Sequence, residues 1–398
     1  MIITKISCNN MYMFDNFSLD LTYNRKLKHY LTDRDMLFPN SKIKVRKNII
    51  IMGGNASGKT TFGKMLCFVL NYLFKGQINN DYFNLSDIPY TKDEESCFSL
   101  EFVLDDNAYL LDVSFKGSLL TKESLKSCKI YPSYNTSKMR RNLQHGKIIS
   151  SFDVNMSEPA NAAANTLMSK AFLINTSPEA KHIKSKIHYL FSISKRINET
   201  ITQHTDIQAL NEFLPKIDNT VYAVKNMYVD NKATNTYQII FKNGDTLVVP
   251  DGDISSCKDR LSHGTFEAIE FLKLFAYMKK YSNSLIYADE ILAHIHSELE
   301  AYLIRKAILA KPVQSQFFIT THNIDIFQLN VPANVFLFFR RNENGYNEIV
   351  YPSDLLNKND RNLTQYYIND YFGVMPDYSV LDQSFEDFFF DSGENNDE

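Results

Sequence analysis

Apolar residues along this chain follow two rhythms that alternate from segment to segment. Asn48 to Met52 is almost wholly apolar, the pattern of a parallel strand buried on both faces. Directly after it Phe62, Met65, Leu66, Val69, Leu70, Leu73 and Phe74 recur at helical spacing, with Gly76 as the expected C-cap. Met1 to Leu21 alternates loosely and predicts one or two strands. "CFSLEFVLDDNAYLLDVSF" (Cys97 to Phe115) alternates on both sides of Asp105, Asp106 and Asn107, which predicts a hairpin. Tyr237 to Pro250 reads as a second hairpin around Asn243 and Gly244. From Lys122 to about Ala164 the pattern weakens, and "SEPANAAANT" (Ser157 to Thr166) reads as loop. Residues 167–215 read as helical, with Ile183, Ile187, Leu190 and Phe191 in one stripe. Beyond Pro250 helix and strand patterns alternate to about Tyr351. The closing "DQSFEDFFFDSGENNDE" is acidic without a basic residue and reads as a mostly disordered tail, its Phe388, Phe389 and Phe390 able to dock.

Composition narrows the class. At 398 residues, with 44% hydrophobic and 13% aromatic residues, the chain can bury a large core and form two or three domain-sized units. It carries no uncharged apolar run of the roughly 18 residues a membrane helix needs. "MIITKISCNN" lacks the apolar core of a signal peptide. Cys8, Cys67, Cys97, Cys128 and Cys257 are scattered, odd in number and without metal-ligand spacing, so reduced thiols in a cytoplasmic protein are expected. A net charge of −3 implies no global attraction to nucleic acid.

The first chemical motif is "IIIMGGNASGKTTFGKML", in which Gly53, four residues, Gly58, Lys59 and Thr60 follow a strand and open a helix. Glycines let backbone N–H groups of Gly53, Gly54, Asn55, Ala56, Ser57, Gly58, Lys59, Thr60 and Thr61 converge on an anion without Cβ clashes. The helix N-terminus adds its own amides. Lys59 is the expected partner of β- and γ-phosphates and the Thr60 hydroxyl the expected Mg²⁺ ligand.

Three later segments add carboxylates, a histidine and a second anion-binding element. "SLIYADE" (Ser284 to Glu290) is a buried strand ending in Asp289, a candidate Mg²⁺ ligand, and Glu290, a candidate general base. "QFFITTHN" (Gln316 to Asn323) is a second such strand with His322 near its end. "RLSHGTFEAIEFL" (Arg260 to Leu272) sets Ser262 and Gly264 at the start of an amphipathic helix. Alone, each has a plainer reading: solvated strand-end acids, a structural histidine, a Ser-capped helix.

Taken in order, P-loop, Leu-Ser-x-Gly, Asp-Glu strand and His strand resemble the head of ABC-type ATPases, within them the soluble RecF/SMC/OLD-like branch. The stretch "DEILAHIHSEL" matches the histidine-containing segment that follows the Asp-Glu pair there. "GTFEAIEFL", "TTHN" and "YYINDYFGVMP" are similar to segments of ATP-binding proteins of bacterial abortive-infection and phage-defence operons, with Asp370 in place of a glycine. The resemblance implies an α/β P-loop NTPase head with a mixed sheet, residues 1–121 and 217–351 forming its two parts. A mainly helical insertion at 122–216, a C-terminal element at 352–380 and an acidic tail at 381–398 complete it. It implies ATP and Mg²⁺, catalytic roles for Lys59, Glu290 and His322, and a homodimer in which Ser262 and Gly264 meet the other protomer's γ-phosphate. It further implies a separate effector protein, of nuclease type, in antiviral defence.

The chain departs from the pattern at His263-Gly264-Thr265, where ABC proteins often carry Gly-Gly-Gln, and at Ala293 to His296, where an aspartate is usual. No glutamine stands out for the Q-loop. His294 and His296, at a spacing of two and with no third ligand nearby, are weak metal candidates. Lys126, Lys129, Lys138, Arg140, Arg141 and Lys147, then Lys181, Lys184, Lys186, Lys195 and Arg196, form a basic stretch. It is either a solvated surface or a sequence-independent nucleic-acid contact. The alternative function is a DNA-repair or chromosome-maintenance ATPase of RecF type acting on DNA directly; a transporter ATPase comes third.

Overall fold

A computed structural model describes residues 1–23, 33–74, 87–117, 119–153, 186–193, 196–197, 205–229, 232–328, 331–356 and 363–375, with single positions at 384, 385 and 388. The first part of the chain contains β1 (Ile2–Asn9), β2 (Phe17–Asp20), β3 (Asn48–Met52), α1 (Lys59–Phe74), β4 (Ser96–Leu104), β5 (Asn107–Lys116), β6 (Leu119–Lys129), α2 (Thr136–Gln144) and β7 (Lys147–Asp153). Next come β8 (His188–Ile193), β9 (Arg196–Ile197), α3 (Ile207–Ile217), β10 (Val221–Val229), β11 (Lys232–Phe241) and β12 (Thr246–Val249). The last part holds α4 (His263–Lys280), β13 (Ser284–Asp289), α5 (Ser297–Ala310), β14 (Gln316–Thr320), β15 (Phe336–Arg341), β16 (Asn347–Val350), α6 (Pro352–Leu355) and α7 (Leu363–Ile368).

These strands form three sheets. A six-stranded antiparallel sheet runs β2-β1-β4-β5-β6-β7, a seven-stranded sheet runs β16-β15-β3-β14-β13-β8-β9, and a small one runs β10-β11-β12. In the seven-stranded sheet β15, β3, β14, β13 and β8 are parallel, and β16 and β9 pair antiparallel at the two edges. The parallel strands are the continuous apolar runs, as burial on both faces requires.

Helix α1 packs between the two large sheets and is buried on nearly all sides. That explains its apolar residues beyond the expected stripe, including Cys67 and Phe68. Its Phe62 lies 5.5 Å from the ring of Phe339 and 6.1 Å from that of Tyr287, and so pins the start of the helix to the parallel sheet. The opposite face of that sheet packs on α4, α5 and the C-terminal residues Tyr367, Phe372 and Val374. A third cluster joins β10 to β12 with α3 and the first turns of α4.

Within the span 122–216, expected as a mainly helical insertion, the described residues hold strands β6 to β9 as well as helices α2 and α3. Lys122 to Lys129 continues β6, paired along its length with β5, and β7 extends the same sheet. Its polar residues, Lys122, Ser124, Lys126 and Ser127, masked the alternation because this sheet's far edge is half exposed. Leu190 and Phe191, read as part of a helical stripe, lie in β8 beside β13. A short apolar run is ambiguous between buried strand and helix, and here sheet pairing decides. Within the expected helical stretch the described helical residues are those of α3, capped by the Asp206 carboxylate. The Ser157–Thr166 loop, Lys181, Lys184, Lys195, Gly76, Pro376 and most of the acidic tail lie outside the described residues.

Candidate nucleotide site

The loop between β3 and α1 has the backbone its glycines predict. Gly58 has φ +97°, and a Cβ there would stand 2.2 Å from Nδ2 of Asn347 on β16. Gly53 has φ +153°, and its Cβ would strike the Phe339 carbonyl oxygen at 2.2 Å. Ala56 adopts φ 59°, a left-handed strain of roughly 1–3 kcal/mol for a non-glycine residue. Arg341 holds it by donating Nε–H to the Ala56 carbonyl at 3.0 Å. The Ser57 hydroxyl is buried in this loop without a hydrogen-bond partner among the described residues. An orphaned donor inside a cradle of backbone amides fits an anionic ligand.

Lys59 turns onto its own loop, donating to the carbonyls of Gly53 at 3.1 Å and Gly54 at 3.2 Å. Its ammonium lies 3.8 Å from Oε1 of Glu290. Burial pulls its pKa below the usual lysine value, while Glu290 and Asp289 pull the other way.

Sheet order explains how the acids reach the loop. β14 lies between the P-loop strand β3 and the acid strand β13, and its last residue, Thr320, stands beside Asp289 in register. Asp289 accepts from the Thr60 hydroxyl at 2.8 Å on one oxygen and from the Thr320 hydroxyl at 2.8 Å on the other. The Thr320 hydroxyl also accepts the backbone N–H of Glu290 at 3.0 Å. One hydroxyl thus ties together both strand-end acids. Burial raises the Asp289 pKa above the usual carboxylate value, and the two threonine bonds oppose that. Glu290 sits at φ 47° and places Oε1 2.9 Å from Nε2 of His322. A left-handed glutamate beside a buried lysine is the kind of strain found at functional sites.

His322 has its own support. Glu300 on α5 accepts from the Thr321 hydroxyl at 2.7 Å and from the Asn323 amide at 2.9 Å, so one buried carboxylate holds both residues flanking the histidine. Tyr287, fully buried on β13, donates its hydroxyl to the Lys59 carbonyl at 2.6 Å and fixes the first turn of α1.

Gly63 admits that tyrosine ring. A Cβ on Gly63 would lie 2.4 Å from Tyr287 Cε1. Gly63→Ala is therefore expected to cost about 1–3 kcal/mol, typical of overpacking. It should lower the thermal midpoint, measurable by circular dichroism; an unchanged midpoint would show that the ring moves aside freely.

Ser262 and Gly264 belong to a separate cleft. Ser262 caps α4, accepting the Thr265 N–H at 3.1 Å, and its hydroxyl lies 2.6 Å from that of Thr265. Thr265 in turn donates to the Asp218 carboxylate beyond the end of α3. Around these residues opens a cleft of about 560 Å³, lined among others by Lys216, Arg260, Ser262, Gly264, His294 and His296. No residue of the P-loop lines it. A Cβ on Gly264 would stand 3.1 Å from the His294 carbonyl, so the α4 start and the loop after Glu290 pack closely. The structure thus joins Lys59, Thr60, Asp289, Glu290 and His322 in one network and sets Ser262 and Gly264 in another.

Thr320, Glu300, Tyr287, Asn347 and Asp218 were not singled out from the sequence. Only Thr320 carried a local signal, as a hydroxyl two residues before His322 at a strand end. Part of the basic stretch has a structural role. Arg140 bonds Asp20 and Glu101, Lys129 pairs with Asp106, and Lys186 pairs with Asp105. Among the described residues no three His, Cys, Asp or Glu side chains group to hold a metal, so His294 and His296 gain no third ligand there. No described helix is long and apolar enough to cross a membrane.

No protein-family model matches the chain. No curated protein matches it. Among solved structures it is similar to an Smc head bound to the C-winged helix domain of ScpA, at 13% identity over 88% of this chain and 97% of that one, with a TM-score of 0.45. It is also similar to an Smc head with an extended coiled coil, bound to the C-terminal domain of ScpA from Pyrococcus furiosus, at 11% identity over 88% and 96%, with a TM-score of 0.47. A third is an Smc head with a coiled coil and joint from Pyrococcus yayanosii, at 9% identity over 88% and 97%, with a TM-score of 0.46.

Proposed function

We propose that this chain is a Mg²⁺-dependent ATPase of the ABC type that works as a homodimer, with each ATP held between the P-loop of one protomer and the Ser262 cleft of the other. The observation that carries the ATPase reading is the continuous bonding of Thr60, Asp289, Thr320, Glu290 and His322 beside Lys59. ATP fits the loop because Gly53 and Gly58 let its backbone adopt positive φ against Phe339 and Asn347, where a Cβ would clash, and the Ser57 hydroxyl has no other partner among the described residues. Thr60 and Asp289 offer adjacent oxygens, the donor set a hard divalent cation takes. Mg²⁺ held there supplies charge neutralisation for the terminal phosphates.

The chain's own groups do the rest. Lys59 exchanges its two loop carbonyls for the β- and γ-phosphate oxygens. Glu290 accepts the proton of the attacking water. His322, held from both sides through Glu300, orients the Glu290 carboxylate through their shared hydrogen bond. Hydrolysis then loosens the contact between protomers, a rigid-body switch. The sequence resemblance to defence-operon ATPases extends this to a cytoplasmic protein that controls a separate, nuclease-type effector.

The two-chain arrangement is tested by mixing. Ser262→Arg puts a bulky cation into the cleft but leaves the P-loop intact, so it should bind ATP and fail to hydrolyse it. Lys59→Ala does the reverse. In a mixed dimer one composite site pairs the intact loop with the intact cleft, and steady-state phosphate release should return in part. Two folded, dimerising variants that never complement each other would refute the sandwich.

A further inference from the structure

The chemistry above leaves Glu267 and His294 without a role, although they form a well-defined dyad. Glu267 lies on α4, one turn into the helix that Ser262 caps, and is 2% exposed. Its two oxygens both accept from His294, the backbone N–H at 2.7 Å and ring Nδ1 at 2.6 Å. The His294 ring stacks on His263, the residue between Ser262 and Gly264, with centroids 5.1 Å apart and planes 27° from parallel. Its side chain is 47% exposed and lines the same cleft as Lys216, Arg260 and Ser262.

This arrangement is more than a loop tie. A buried carboxylate accepting the backbone N–H would already anchor the loop after Glu290. The second bond goes to the ring and fixes which nitrogen carries the proton. With Nδ1–H committed to Glu267, Nε2 is the ring atom that meets a ligand. When both ring nitrogens carry protons, Nε2–H can donate to an anionic oxygen. Lys216, Arg260 and the Ser262 hydroxyl lie around the same space with the Asp218 carboxylate, which already accepts from Thr265, so the cleft offers donors and cations to a terminal phosphate.

We propose that His294, oriented by Glu267, binds the terminal phosphate of the ATP carried on the P-loop of the opposite protomer. His294 is then a third contact to that phosphate beside Ser262 and Gly264, and Glu267 is a positioning residue. The proposal rests on the two-protomer reading above and deepens it.

The test uses the full chain with fluorescent ATP binding, turnover and mixing. His294→Ala should bind ATP on its own P-loop as the unmodified chain does. Its turnover should fall about ten- to hundredfold, the usual worth of a hydrogen bond to a charged group. Mixed with Lys59→Ala it should regain part of that turnover, because the composite site takes His294 from the other chain. Glu267→Gln, which weakens the grip on the ring and keeps its shape, should give a smaller loss that is complemented in the same way. Where the alanine variant fails to fold, His294→Gln carries the same comparison.

Turnover by His294→Ala at the unmodified rate, or a loss that Lys59→Ala cannot complement, would overturn the role in trans. If the Ser262→Arg and Lys59→Ala pair complements in parallel, that failure is confined to His294. If neither pair complements, the sandwich falls and this proposal falls with it.

Discussion

Glu290→Gln should leave ATP binding intact and slow its hydrolysis by roughly 10²–10⁴-fold, the usual contribution of a general base. The substitution keeps the side chain's shape and a carbonyl oxygen for His322, so the network around Thr320 and Asp289 should survive. What it removes is the proton acceptor next to the attacking water and a negative charge near the γ-phosphate. Less repulsion there should also hold the ATP-bound dimer together. Single-turnover hydrolysis of radiolabelled ATP separates binding from chemistry. Wild-type turnover in this variant would show that Glu290 is not the base.

Lys59→Ala should act earlier, abolishing binding and hydrolysis together. Lys59 is buried in the loop and already coordinates two of its carbonyls, so its ammonium needs only a short shift to reach phosphate. Removing it also takes away the positive charge that Glu290 and Asp289 face, which raises their repulsion of an incoming anion. Equilibrium titration with a fluorescent ATP analogue should find affinity reduced at least about a hundredfold, as expected when a charge-assisted contact is lost beside two carboxylates. Retained affinity with normal turnover would refute the assignment of the loop.

The ends of the site were legible in the sequence because local patterns encode them. The glycines at 53 and 58 follow an apolar run, and the backbone there needs the conformations they allow. β13 and β14 read as strands because both their faces are buried. The connecting residues were not legible because sheet order and helix packing, rather than spacing, bring them together. Thr320 reaches Asp289 only because β14 is inserted between β3 and β13. Glu300 reaches His322's neighbours through α5, and Asp218 lies 47 positions from Thr265. β6 and β7 were missed because their polar, half-exposed residues look like loop until the antiparallel partner is known. β8 was missed because its short run around Leu190 and Phe191 suits helix and strand equally.

An ATP sandwich between two copies of this chain has one direct physical consequence, a change of mass on nucleotide binding. The measurement is multi-angle light scattering of the Glu290→Gln protein with and without Mg-ATP, since that variant should accumulate the closed form. A single-chain mass without nucleotide that doubles with Mg-ATP, and stays single when Ser262→Arg is added to the same chain, is the expected result. A mass of one chain at saturating Mg-ATP, with ATP demonstrably bound, would contradict it.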